Sequence, residues 1–195
     1  MDITSDSKRM LLVVDPQIDF ITGVLPVPGA REAMDLLAGY IAAADGKYAV
    51  KVVTADCHPY NHCSFDECGG RWPRHCVADT EGAAIWPALV DPLYRTAGGV
   101  TVLHKGRERD VEEYSIFKNA DARACIMNIV ERLGIEKIDI CGLAGDVCVA
   151  DSLRDGIGIF GASKFEVLAQ YSPSLDRGVT LDHIISTNNL TSCDR

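Results

Sequence analysis

Five short apolar runs recur along this chain, each too short to make an ordinary helix. They are MLLVVD (10–15), YAVKVVT (48–54), VTVLH (100–104), KIDICGL (137–143) and KFEVLA (164–169). Runs of this length, rich in Val, Ile and Leu, read as strands buried on both faces. Between them the period changes. Ala30, Ala33, Met34, Leu37, Ala38 and Ile41 repeat at helical spacing, which predicts a helix from about Gly29 to Ala44, stopped near Gly46. Ala122, Cys125, Ile126, Ile129, Val130 and Leu133 form a second stripe, with Asn119 as its N-cap. DVCVADSLRD reads as a third helix, with Asp146 placed to cap it and Gly156 to stop it. Residues 174–187 read as the last helix. Strands alternating with helices predict an α/β chain: an open, mainly parallel sheet with helices on both faces, joined by right-handed crossovers. The 195 residues favour one domain spanning 1–195.

Residues 55–99 lack strong periodicity, and an irregular stretch of that length in a compact domain is usually functional. The net charge of −9 argues against nucleic acid as a partner, since phosphate binding needs a basic face. The longest apolar runs, about five residues, are too short to cross a bilayer. The N-terminal MDITSDSKRM has no apolar core of a secretory signal, so the expected location is cytoplasmic. Reduced thiols are then expected for the eight cysteines, at 57, 63, 68, 76, 125, 141, 148 and 193.

Ligands of open α/β sheets bind at the C-terminal ends of the strands. Those ends carry Asp15, Asp56 with His58, Lys105, and the turn from Ala144 to Cys148. Cys148 falls in the first turn of the third helix, where the helix N-terminus lowers a thiol pKa. A small buried apolar role suits it equally well. Asp15 precedes Pro16, which should keep it extended. Alone, Asp15 and Lys105 are better explained as strand-end charges. Converging on one crevice, the three make a nucleophile, a proton shuttle and a charge that tunes the shuttle.

The segment TADCHPYNHCSFDECGGRWPRHC (54–76) crowds histidines, cysteines and acids together. Asp56 and His58 are two apart and share one side of an extended backbone. With His75 they form a reasonable ligand set for zinc or iron(II), with His62 and Glu67 as further candidates. A zinc finger from Cys57, Cys63, Cys68 and Cys76 is weaker, because no CxxC pair exists. A polar loop that touches no metal is the remaining alternative.

The stretches VVDPQIDF, DCHPYNHCSF, GGRWPRHC, LHKG with EYSIF, and GLAGDVCV resemble the isochorismatase-like cysteine hydrolases, and within them the nicotinamidases. The resemblance implies an isochorismatase-like fold and a metal-dependent amidohydrolase. Such an enzyme converts nicotinamide to nicotinate and ammonia through a cysteine thioester, in NAD salvage. It implies Asp15, Lys105 and Cys148 as catalytic residues. Ala144 and Cys148 would form the oxyanion hole, with a cis peptide between Leu143 and Ala144. Phe20 and Trp72 would sandwich a pyridine ring. Asp56, His58 and His75 would hold one divalent ion, zinc before iron or manganese, that anchors the ring nitrogen. The implied partner is a small-molecule substrate, with no nucleic acid and no membrane; a homo-oligomer is left open. The alternatives are another amidase or isochorismatase-type hydrolase, or a catalytically silent, metal-stabilised binding protein. The chain departs from the family at Gly145, usually Thr, and at Asp151 and Ser152, usually small residues. Gly145 should loosen the turn beside the nucleophile.

Overall fold

The structure, a computed structural model, describes residues 7–193. Among the described residues, six parallel strands form one sheet in the order β3-β2-β1-β4-β5-β6. They are β1 (Arg9–Val14), β2 (Val50–Asp56), β3 (Gly99–Lys105), β4 (Lys137–Gly142), β5 (Phe165–Leu168) and β6 (Thr191–Cys193). The helices are α1 (Ile18–Ile21), α2 (Ala30–Ala43), α3 (Pro87–Arg95), α4 (Ala120–Arg132), α5 (Cys148–Phe160) and α6 (Val179–Thr187).

The apolar runs have the physical consequence expected of strands covered twice. Along β1, Met10, Leu12 and Val14 point into one core, while Leu11 and Val13 point into the other. The first core is closed by Ile126 and Val130 of α4, Val149 and Leu153 of α5, and Leu181 and Ile184 of α6. The second is closed by Met34, Leu37 and Ile41 of α2 and by Leu89 and Leu93 of α3. A sheet with both faces dry needs non-alternating strands, which is why β1 is wholly apolar after Arg9. The chain runs outward through β2 and β3 on one side of β1, and through β4, β5 and β6 on the other. The strand order therefore reverses between β1 and β4, and a crevice opens there at the C-terminal ends.

Several boundaries differ from the sequence expectation. β6 has only three residues, too few for a periodicity to register. α3 lies inside the stretch that looked irregular; Pro87 at its start and Pro92 within it mask a helix that buries Leu89 and Leu93. The last helix begins at Val179 rather than near 174, because the Asp176 carboxylate accepts from the Gly178 and Thr180 N–H groups and shapes a turn first. Gly156 does not stop α5, which continues to Phe160 and ends at Gly161. Gly156 is buried, and a Cβ there would lie 2.5 Å from Phe165 Cζ. It is a packing glycine. Asn119 does cap α4, its side chain accepting from Ala122 N–H at 3.0 Å. Asp146 does not cap α5: Val147 holds that position without a side-chain bond.

Candidate active site

Four strand ends converge. β1 delivers Asp15, β2 delivers Asp56, β3 ends at Lys105, and the turn after β4 leads to Cys148 at the start of α5. All four residues are buried. Asp15 has φ 46, not the extended backbone that Pro16 suggested. A left-handed non-glycine residue costs roughly 1–2 kcal/mol, and here the fold holds it in place through hydrogen bonds. The Asp15 N–H donates to Thr54 O, and the Thr54 hydroxyl donates to Asp15 Oδ1 at 2.6 Å.

Lys105 is the hub. Its Nζ lies 2.9 Å from Asp15 Oδ2, 2.5 Å from Asp56 Oδ1 and 3.6 Å from Cys148 Sγ. Asp15 Oδ2 faces Lys105 but completes no hydrogen bond, so it remains an acceptor for a proton. Burial pushes the Asp15 carboxyl up, and the Lys105 charge offsets this only in part. Burial also raises the Cys148 thiol well above its ordinary value, against the lowering effect of Lys105. For Asp56 the balance reverses. Burial raises it, but Lys105 and His58 together hold it below the usual carboxylate range. Two buried carboxylates around one ammonium thus divide into one that stays ionised and one poised to exchange a proton.

Asp56, His58 and His75 bring one ligand atom each within 4.8 Å of one another, all from buried side chains. His58 Nδ1 is tied to Gly106 O at 2.9 Å and His75 Nδ1 to Pro73 O at 2.7 Å, which leaves each Nε2 as the free donor atom. Backbone carbonyls that fix a histidine tautomer in this way are a usual support of metal sites. Asp56 gives Oδ1 to Lys105 and keeps Oδ2. The donor set fits a divalent ion of borderline character. Asp15, Asp56 and Cys148 are equally close together, but the Lys105 ammonium sits among them and excludes a cation. His62 is not a ligand candidate here, because both its nitrogens are engaged, with Ser64 Oγ and Val111 O. It stacks on His58 with ring centroids 4.1 Å apart. Glu67 is exposed and pairs with Arg74. Among the described residues, Cys57, Cys63, Cys68 and Cys76 form no cluster of three ligand atoms.

A small, mainly apolar pocket opens onto both groups, with Asp56, His75, Ala144 and Cys148 in its wall. Phe20 and Trp72 also line it. Phe20 packs on His75 at 5.4 Å, and the Trp72 indole donates to the Tyr114 hydroxyl at 3.0 Å. The peptide between Leu143 and Ala144 is cis.

The chain as a whole has counterparts among known proteins. Residues 9–158 match the isochorismatase domain. The chain belongs to the isochorismatase family. A family relative, the nicotinamidase/pyrazinamidase of Mycobacterium tuberculosis, is 32% identical over 76% of this chain and 78% of its own length. The nicotinamidase of Acinetobacter baylyi is 29% identical over 89% and 85%. The crystal structure of the pyrazinamidase of Pyrococcus horikoshii in complex with zinc superposes with a TM-score of 0.80. It is 32% identical, over 96% of this chain and 99% of that one.

One departure from the isochorismatase-family pattern has a different consequence from the one expected. Gly145 does not loosen its turn. Its N–H donates to Pro173 O at 2.8 Å, and a Cβ would fall 2.3 Å from Ser174 Oγ and 2.4 Å from Ser172 O. The turn is pinned at a distance only glycine allows. Ser152 is buried, and its hydroxyl accepts from Ile116 N–H. Asp151 pairs with Arg154 on the surface. Sequence reasoning missed Gln17, which is fully buried. Its Nε2 donates to the carbonyls of Asp56 and Ala83, and its Oε1 accepts from the Asp56 N–H, each at 2.8 Å. Its place two residues after Asp15 was the available signal. Tyr114, Leu25, Val27 and Leu175 in the pocket wall gave none.

Proposed function

We propose that the protein is a nicotinamidase, which hydrolyses nicotinamide to nicotinate and ammonia and supplies nicotinate for NAD salvage. One observation carries the reading: Cys148, with Asp15 and Lys105 behind it, shares a single pocket with Asp56 and His75 of the metal-capable cluster. The named relatives support the same activity.

In this reading Asp15 accepts the Cys148 proton and the thiolate attacks the amide carbon. The oxyanion is received by the N–H groups of Ala144 and Cys148. Asp15 returns its proton to the amide nitrogen, the C–N bond breaks and ammonia leaves behind a thioester. Asp15 then deprotonates a water that attacks the thioester, and the Cys148 thiol is restored by the same proton. Lys105 keeps negative charge on Asp15 available against the effect of burial. Phe20 and Trp72 hold the flat ring from its faces. Asp56, His58 and His75 would hold a divalent ion, with zinc proposed first, and such an ion would supply a Lewis-acid contact to a ring nitrogen that orients the ring. We take residues 1–195 as one domain and the cytoplasm as its compartment. The free thiols suit a reducing setting, and no helix among the described residues is long and apolar enough to cross a membrane.

The test is ammonia release from nicotinamide by the purified protein, with and without a chelator. Release that the chelator suppresses and added zinc restores is the expected result. No release under any metal condition overturns the assignment.

A further inference from the structure

Most of the pocket wall belongs to the cores of the molecule. Phe20, Val27 and Ala144 are part of one apolar core, with Leu25 packed against it, and Tyr114 packs against the other. Trp72 is fixed by its bond to Tyr114. Leu175 belongs to neither core and is 40% exposed, yet it also lines the pocket. Its position at the mouth is set through its backbone. The Asp146 carboxylate accepts from the Leu175 and Asp176 N–H groups, each at 3.0 Å. Next to it, Gly145 lets Ser172, Pro173 and Ser174 approach the nucleophile turn more closely than any side chain would permit. The segment that carries Leu175 is therefore docked onto the same turn that carries Cys148.

We propose that Leu175 is a specificity-determining residue, the lip that limits substituents on the ring, with Gly145 and Asp146 as the positioning residues that hold it there. The proposal rests on the nicotinamidase reading of the pocket. An apolar wall in contact with a substrate discriminates against one extra methyl group by about 10- to 200-fold. Because Leu175 stands partly in water outside both cores, it can be shortened or enlarged without opening a cavity in the fold.

The experiment compares kcat/KM for nicotinamide, 5-methylnicotinamide and 6-methylnicotinamide in the wild type and three variants. The wild type is expected to favour nicotinamide over at least one methylated analogue by about tenfold or more. Leu175→Ala should raise that analogue's value relative to nicotinamide by about tenfold, and Leu175→Phe should lower it. Gly145→Ala keeps Leu175 but forces residues 172–174 away from the turn, and should shift the ratio in the same direction as Leu175→Ala. A purely structural role would change overall rate or stability and leave the ratio alone. Ratios within twofold of wild type in both Leu175 variants overturn the proposal while leaving the nicotinamidase reading intact. Failure of the wild type to hydrolyse nicotinamide overturns both.

Discussion

Cys148 is the residue on which the proposed chemistry depends, and it sits where backbone geometry, burial and a neighbouring acceptor coincide. Cys148→Ala should abolish turnover while the thermal transition and metal content stay close to wild type, because Ala fits the first turn of a helix. Turnover within tenfold of wild type would end the thioester account; Cys63→Ser, on the loop surface side, should retain most activity. Lys105→Met tests the proton shuttle. Asp15 is already raised by burial, and Lys105 works in the opposite direction. Without the Lys105 charge, burial and Asp56 both push Asp15 further up, so the acidic limb of the pH–rate profile should move to higher pH as the rate falls. An unshifted limb would show that Lys105 does not tune Asp15. These residues were legible in the sequence because each lies at the end of an apolar run, where the parallel-sheet rule places a ligand. The φ of Asp15, the engagement of both His62 nitrogens and the reach of Gln17 were not legible. Apart from the local His62–Ser64 bond, they follow from contacts across 39 or more residues.

At the scale of elements, β1 to β5 were readable as short, mainly apolar runs, and the two striped helices because their burial recurs at helical spacing. The exceptions are places where a tertiary contact reassigns a local signal. Gly156 looks like a helix stop, and is in fact the point where α5 passes over Phe165 and Phe117. Gly156→Val should therefore overpack this contact and cost about 1–3 kcal/mol, seen as a Tm lower by several degrees. A neutral or stabilising result would mean that the two rings can yield. Asn119→Ala removes the cap of α4 and should cost roughly 1 kcal/mol by denaturant titration, with kcat unchanged. α3 and the start of α6 escaped a reading of periodicity, α3 because of its prolines and α6 because Asp176 builds a turn where the sequence suggests a helix.

For the molecule as a whole, the central claim is that one pocket joins a cysteine amidase site to a metal site that recognises a ring nitrogen. Asp15 and Cys148 straddle the sheet's reversal point, from the end of β1 and the turn after β4, while Asp56 and His75 come from β2 and the loop beyond it. Gln17 ties them, gripping the Asp56 backbone from two residues beyond Asp15. The most direct measurement compares hydrolysis of nicotinamide and benzamide, which share a shape and a carboxamide and differ in the ring nitrogen. It is made with zinc-loaded and metal-stripped protein, with nicotinamide affinity measured in parallel on His58→Ala. The account predicts that loaded protein prefers nicotinamide by at least about tenfold, equal to roughly 1.4 kcal/mol. The preference should shrink on stripping the metal, and His58→Ala should bind nicotinamide more weakly. Equal hydrolysis of benzamide and nicotinamide by the zinc-loaded protein would contradict it.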